Sequence, residues 1–209
     1  MPSVTRAAQT NRHDRREATE QRLFAAIEQL VREGSFTEVS VERLAAAAGI
    51  SRSTFYVHFQ DKGDLVRKLA RTVLTELREV SDRWWTVAEQ ADPTQLKAAV
   101  AAIVDIYRRH PAAFTAMAET ATYDPLVAEE LQATMRQIID ATRAAIERGR
   151  SAGVIRDVPP METAAALTWM VERTGYQMVR NTEPAGDATI VGVLTDIIWS
   201  TLYRTPADS

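Results

Sequence analysis

The sequence predicts an all-α fold of nine helices. Three observations predict it. Apolar residues recur at spacings of three and four along the whole chain, which places them on one face of a helix. No stretch alternates apolar and polar residues as a half-buried strand would. The eight glycines and eight prolines are few for 209 residues, and the prolines and most of the glycines fall at the boundaries of the periodic segments.

Residues 1–14 read as a flexible basic-polar tail. Helix 1 is expected over 15–33, with Leu23, Ile27, Leu30 and Val31 on one face and Gly34 as its stop. Ser40 caps helix 2, which runs through Leu44, Ala45 and Ala48 to Gly49. Ser51 caps a short helix 3 ending near Phe59. Asp61, with Asp64 three residues on, opens a long helix 4 that reaches about Ala91. Asp92-Pro93 and Asp124-Pro125 each pair a capping carboxylate with proline at the first helical position, so they open helices 5 and 7. His110-Pro111 separates helix 5 from helix 6. Helix 7 ends at Gly149 or Gly153, and Pro159-Pro160 precedes helix 8 over about 161–181. Pro184 and Gly186 precede helix 9 over about 187–203. The domain boundaries expected from this order are a helix-turn-helix unit over 15–60 and a six-helix domain over 61–209.

Composition narrows the function. The absence of cysteine excludes a disulfide framework, a thiolate nucleophile and a thiolate zinc site. His13, His58 and His110 are far apart, so no metal and no cofactor is expected. No apolar run approaches the ~18 residues of a membrane span, and a soluble cytoplasmic protein is expected. The net charge of −3 hides an asymmetry: residues 1–68 carry 11 Lys and Arg against 9 Asp and Glu, while 69–209 are acidic by five. From Ile50 to Gln60 there is no acid at all. That local balance, not the average, suits a partner rich in phosphate.

The most informative segment is Ser40–Leu65. Two short helices meet at Ala48-Gly49-Ile50-Ser51, where glycine accepts the positive φ of a tight turn and Ile50 plugs it. Leu44, Ala45, Ala48, Phe55 and Phe59 form the inner side. Outside stand Ser51, Arg52, Ser53, Thr54, Tyr56 and His58, a set of hydroxyls, guanidinium, phenol and imidazole that matches base edges and phosphates in a DNA groove. Ser40, at the cap of helix 2, and Lys62, at the start of helix 4, flank this surface.

This run, Ala48-Gly49-Ile50-Ser51-Arg52-Ser53-Thr54-Phe55-Tyr56-Val57-His58-Phe59 followed by Lys62, Asp64 and Leu65, resembles the signature of TetR-family transcriptional repressors. The resemblance implies an N-terminal DNA-binding unit followed by a ligand-binding and dimerising domain. It implies DNA contacts from Arg52, Ser53, Thr54, Tyr56 and His58, with Lys62 on a phosphate. Ser53 departs from the family, which often has glycine there, so base preference at that position does not carry over.

Helices 4–9 hold all four tryptophans and five of the six methionines. Helical spacing places Tyr107, Phe114, Met117, Leu131, Met135, Ile138, Trp169, Tyr176 and Trp199 as candidates to line an apolar cavity. Thr168, Glu172 and Arg173 add polar groups to helix 8, and a carboxylate there must be solvated, paired or used. Glu162–Tyr176 and Ile197–Tyr203 are similar to the branch of the family that contains the mycobacterial ethionamide-activation repressor. That likeness implies Ile103, Tyr107, Thr168, Val171, Glu172 and Trp199 as ligand contacts and an apolar or aromatic small-molecule effector. Leu96, Ile103, Leu131 and Ile138 replace aromatic positions of that branch, and Val171 replaces an amide, so its ligand does not transfer.

Helix 9 carries an apolar stripe of Ile190, Val193, Leu194, Ile197, Ile198 and Leu202. Helix 8 adds Leu167, Met170, Met178 and Val179. Together they suggest a four-helix homodimer interface. The expected function is therefore a DNA-binding transcriptional repressor whose binding to double-stranded operator DNA is modulated by a small molecule. The alternative is an all-α small-molecule-binding protein or enzyme that uses the cavity, with Glu172 as base, and does not bind DNA. No glycine-rich phosphate loop, nucleophile–histidine–acid set or HExxH pattern accompanies it.

Overall fold

A computed structural model describes residues 3–203, and among them nine α-helices account for the fold. They are α1 (Ser3–Glu33), α2 (Val41–Ala47), α3 (Arg52–His58), α4 (Lys62–Val87), α5 (Pro93–Arg109), α6 (Pro111–Thr120), α7 (Pro125–Ser151), α8 (Pro160–Gln177) and α9 (Asp187–Leu202). Single 3₁₀ turns follow α1, α4 and α8 and precede α9. The only extended pairing among the described residues is one antiparallel bridge between Ile155 and Tyr203.

The expected starts are met by side-chain caps. Ser40 Oγ accepts from Arg43 N–H at 3.2 Å and Asp92 Oδ1 from Thr94 N–H at 2.8 Å. Asp124 Oδ1 accepts from Leu126 N–H at 2.9 Å. At the head of α4, Asp61 Oδ1 accepts from Asp64 N–H at 2.7 Å while Asp64 Oδ2 accepts from Gln60 N–H at 3.1 Å. The two aspartates thus cap the helix much as a capping box does, except that Asp64 takes the N–H of the residue before the cap.

Three boundaries differ from expectation. α1 begins at Ser3 instead of near residue 15, so the segment expected as a tail belongs to the first helix; no glycine or proline interrupts it, and polar residues propagate a helix as well as apolar ones. Met1 and Pro2 lie outside the described residues. α4 stops at Val87, because the chain tightens into a 3₁₀ turn and Ala91 takes a φ of 50°. α8 stops at Gln177, also in a 3₁₀ turn.

The chain folds as two compact units. The first comprises Met1–Arg71 with Ala112–Glu129, and the second Thr72–Pro111 with Glu130–Ser209. The first compact unit runs past residue 60 and takes in the first turns of α4, nearly all of α6, the α6–α7 turn and the start of α7. In the first unit, Leu23, Ile27, Phe36, Leu44, Phe55 and Leu65 are fully buried. In the second, α5 packs on α9, with Val104, Ile106, Ile190, Leu194 and Leu202 buried.

Candidate DNA-binding surface and ligand cavity

The turn between α2 and α3 is made as its residues require. Gly49 has a φ of +64°, a conformation that costs an L side chain roughly 1 kcal/mol or more. Its N–H donates to Ala46 O at 3.1 Å, and Ile50 N–H donates to Ala45 O at 2.9 Å, which closes the end of α2. Ser51 Oγ accepts from Thr54 N–H at 3.0 Å and lies 2.8 Å from both Ser53 Oγ and Thr54 Oγ1. Phe55 and Phe59 turn inward and are buried. Arg52, Ser53, Tyr56 and Val57 are left exposed.

Arg52 is held before any partner arrives. Its guanidinium is 2.7 Å from Glu42 Oε1 of α2 and 5.6 Å from the centre of the Tyr56 ring. A hydrogen bond to Tyr56 first, and then the Glu42 charge, raise the Arg52 pKa further above its ordinary value. Glu42 is lowered, first by a hydrogen bond to its own backbone and also by Arg52. The sequence reasoning found no acid on α3 and missed this one on α2. The signal was available, because Glu42 lies two residues after the Ser40 cap, on the exposed end of the partner helix. Val57 was also missed. It is 81% exposed and sits four residues after Ser53, hence on the same face. An exposed methyl group of this kind is able to pack on a thymine methyl.

Lys62 is corrected. Its ammonium donates to Phe36 O at 2.9 Å, Thr37 O at 3.0 Å and Val39 O at 3.0 Å. It lies 4.9 Å from the Phe36 ring and 5.6 Å from the Tyr123 ring. All three ammonium donors are spent on carbonyls of the segment before α2, so the residue pins this unit from within instead of reaching out to a phosphate. Glu119 completes the attachment from α6: its Oε2 accepts from Ser35 Oγ at 2.8 Å and Thr37 N–H at 3.0 Å. Among the other expected contacts, Ser40 and Ser51 spend their oxygens as caps, and Thr54 and His58 are only half exposed.

The second unit holds a partly open cavity of about 90 Å³. α4 supplies Leu77, Ser81, Trp84 and Trp85, α5 supplies Leu96, Ile103 and Tyr107, and α7 supplies Met135, Ile138 and Thr142. α8 adds Leu167, Thr168, Val171 and Glu172, and α9 adds Ile198. The tyrosine is seated by a glycine: a Cβ on Gly175 would come within 2.5 Å of the Tyr107 ring. Trp85 Nε1 donates to Thr142 Oγ1 at 2.9 Å, and Ser81 Oγ donates to Leu77 O at 2.9 Å. Burial pushes the Tyr107 phenol well above its usual pKa, and the nearby Glu172 charge adds to this. Burial likewise raises Glu172, against the opposing charge of Arg173.

Among the expected ligand contacts, Ile103, Tyr107, Met135, Ile138, Thr168, Val171 and Glu172 are brought together here. Phe114 and Met117 are buried in the first unit, with α6. Leu131 is half-buried outside the cavity wall and Trp169 is exposed. Tyr176 lies under the Arg173 guanidinium at 5.8 Å. Trp199 stacks on Tyr203 at 4.3 Å, and Tyr203 O–H donates to Ala88 O. These six residues are corrections to the cavity wall. Helical spacing reveals that a residue faces inward, but not which of several interhelical spaces it faces. The tryptophans of α4 were missed, although Leu77, Ser81, Trp84 and Trp85 stand at i, i+4, i+7 and i+8 of one helix face.

Residues 23–69 match the family described as bacterial regulatory proteins, tetR family, and residues 96–204 match the C-terminal domain of the transcriptional regulator EthR. The chain belongs to the TetR family, in its EthR branch. It is 29% identical over 210 residues to the HTH-type transcriptional regulator EthR of Mycolicibacterium smegmatis, covering 98% of this chain and 93% of that one. The EthR of Mycobacterium tuberculosis is 27% identical over 209 residues, covering 97% and 94%. Among solved structures, the TetR-family regulator PfmR of Thermus thermophilus superposes with a TM-score of 0.71 at 23% identity, over 88% of this chain and 97% of that one. NalD, the secondary repressor of the MexAB-OprM efflux pump of Pseudomonas aeruginosa, superposes at 0.70 with 19% identity, over 90% and 97%.

This TetR-family chain is a DNA-binding transcriptional regulator with a ligand-binding C-terminal domain, of a family whose members act as dimers. No helix among its described residues is long and apolar enough to cross a membrane. Its expected dimer stripe is redistributed. Leu167 and Ile198 line the cavity, while Val179, Ile190, Leu194 and Leu202 are buried within the single chain. These are corrections, caused by α9 packing on α5: one face of α9 is already spent on its own core. Met170 is half-buried. Met178 and Ile197 remain exposed, and so do Trp169 at 47% and Val193 at 53%.

Proposed function

We propose that this regulator is a homodimeric repressor that sets α3 of each subunit into the major groove of operator DNA and responds to a small molecule in the cavity of its second unit. The observation that carries the reading is the outer face of α3, where Arg52, Ser53, Tyr56 and Val57 stand exposed on a helix whose inner face is locked by Phe55 and Phe59. Arg52 and Ser53 serve base edges or phosphates, Tyr56 donates to a phosphate, and Val57 meets a thymine methyl. Two such helices one DNA turn apart, roughly 34 Å, read the two halves of a palindromic site.

An apolar or aromatic effector changes operator affinity only as far as it favours one of two arrangements of the dimer. α4 contributes residues both to the first unit and to the cavity wall, which makes it the element through which occupancy acts. Function on operator DNA puts the protein in the cytoplasm.

The test is fluorescence anisotropy with duplex DNA taken from upstream of the protein's own coding sequence, across a range of salt. A salt-sensitive, sequence-preferring complex that weakens at least tenfold in Tyr56→Ala is expected. Equal affinity for unrelated DNA, or an unaffected Tyr56→Ala variant, overturns the reading.

A further inference from the structure

The cavity of the second unit is mainly apolar; two buried polar atoms of its lining residues make no hydrogen bond, Trp84 Nε1 and Glu172 Oε2, and Glu172 is the one carboxylate among those residues. Its walls are mainly the rings and aliphatic groups of Trp84, Trp85, Leu96, Ile138 and Val171. The hydroxyls of Ser81 and Thr142 are occupied with Leu77 O and the Trp85 indole N–H. Glu172 stands differently. Its Oε2 is buried and makes no hydrogen bond. Its nearest cationic atom is Arg173 Nε at 3.6 Å, beyond hydrogen-bonding distance, and the Arg173 side chain is 63% exposed. That guanidinium lies instead against the Tyr176 ring. A carboxylate oxygen kept from water without a donor is costly, and a charged donor satisfies it best, because charge-assisted hydrogen bonds are about twice as strong as neutral ones.

We propose that Glu172 is the head-group site of this cavity and that the effector is a compact amphipathic amine, with its ammonium on Glu172 Oε2 and its apolar body among the α4, α5 and α7 side chains. This rests on reading the cavity as the effector site. The aromatic walls suit the same cation, since the faces of Trp84, Trp85 and Tyr107 are negative. The size is set by the space, about 90 Å³, which is smaller than the ~150 Å³ that takes up benzene in an engineered apolar cavity. A short alkyl chain or a small ring fits it better than a long lipid does. Arg173 is the competitor: an ammonium on Oε2 replaces a weak internal pair with a direct one.

The experiment titrates the full-length chain with n-butylamine, n-butanol and butyrate at neutral pH, read by indole fluorescence and by melting temperature. n-Butylamine is expected to bind about tenfold more tightly than n-butanol, and butyrate more weakly than either. Glu172→Gln, checked for unchanged helicity, is expected to bring the amine and alcohol affinities together, and Arg173→Gln to widen their difference. Equal binding of amine and alcohol overturns the proposal while the cavity reading stands. Binding of none of the three overturns both.

Discussion

Lys62 and Glu172 are the two ionisable side chains whose surroundings decide what they do. Lys62 places its ammonium on three backbone carbonyls, so its removal leaves those acceptors short of a donor at a cost of about 1–3 kcal/mol. Lys62→Met should therefore lower the melting temperature and weaken operator binding. The slope of log affinity against log salt should stay as in the parent, whereas a lost phosphate contact would lower it by about one. A salt titration of both proteins separates the two roles. Glu172 behaves as burial dictates. Its carboxyl is raised above the ordinary value, by desolvation first, with Arg173 opposing. The folded chain thus holds this proton at a pH where the unfolded chain has released it. Stability is then greatest below the unfolded value of about 4.3 and falls as pH rises through the window up to the folded value. Glu172→Gln should be more stable than the parent at pH 7 and no more stable near pH 3, as read from urea midpoints at each pH.

Among the elements, α8 and the α2–α3 turn depend on single glycines. On α8, a methyl at Gly175 would stand 2.5 Å from the Tyr107 ring, so the ring or the helix must move. Overpacking of this kind costs about 1–3 kcal/mol. Gly175→Ala should lower the melting temperature and alter the indole fluorescence of Trp84 and Trp85, since Tyr107 shares their cavity wall. In the turn, Gly49→Ala meets no clash but keeps a φ of +64°, and should cost roughly 1 kcal/mol by thermal melting. The end of α6 carries Glu119 and the turn after it Tyr123 and Asp124, whose partners Ser35, Lys62 and Arg67 belong to the same compact unit. That is why the compact unit recruits residues 112–129 across a gap in sequence.

For the assembled regulator, the exposed residues of α8 and α9 carry the prediction. Val193 and Ile197 lie one turn apart on α9, and an apolar pair of that exposure is unusual on an unpartnered helix. Ile197→Glu should shift the protein from dimer to monomer in light scattering after size exclusion and weaken operator binding along with it. The parent protein should remain a dimer under the same conditions. Helix number, the starts of the helices after α1 and the exposed outer face of α3 were legible from the amino acids alone, because caps, prolines and the 3.6-residue period are local rules acting within a few residues. Arg52, Ser53 and Tyr56 could be named as exposed residues of α3 for that reason. The destinations of Lys62, Phe114, Met117 and Trp199 could not, since each is set by a partner distant in sequence. Leu167 and Ile198 show the same limit: periodicity marks an apolar face as buried, while the packing of α9 on α5 selects which neighbour buries it. Local chemistry thus settles which helices form and which sides of them are apolar or polar. Close packing over long sequence separations settles which of those sides becomes cavity, core or partner surface, because only there do volume and hydrogen-bond satisfaction compete.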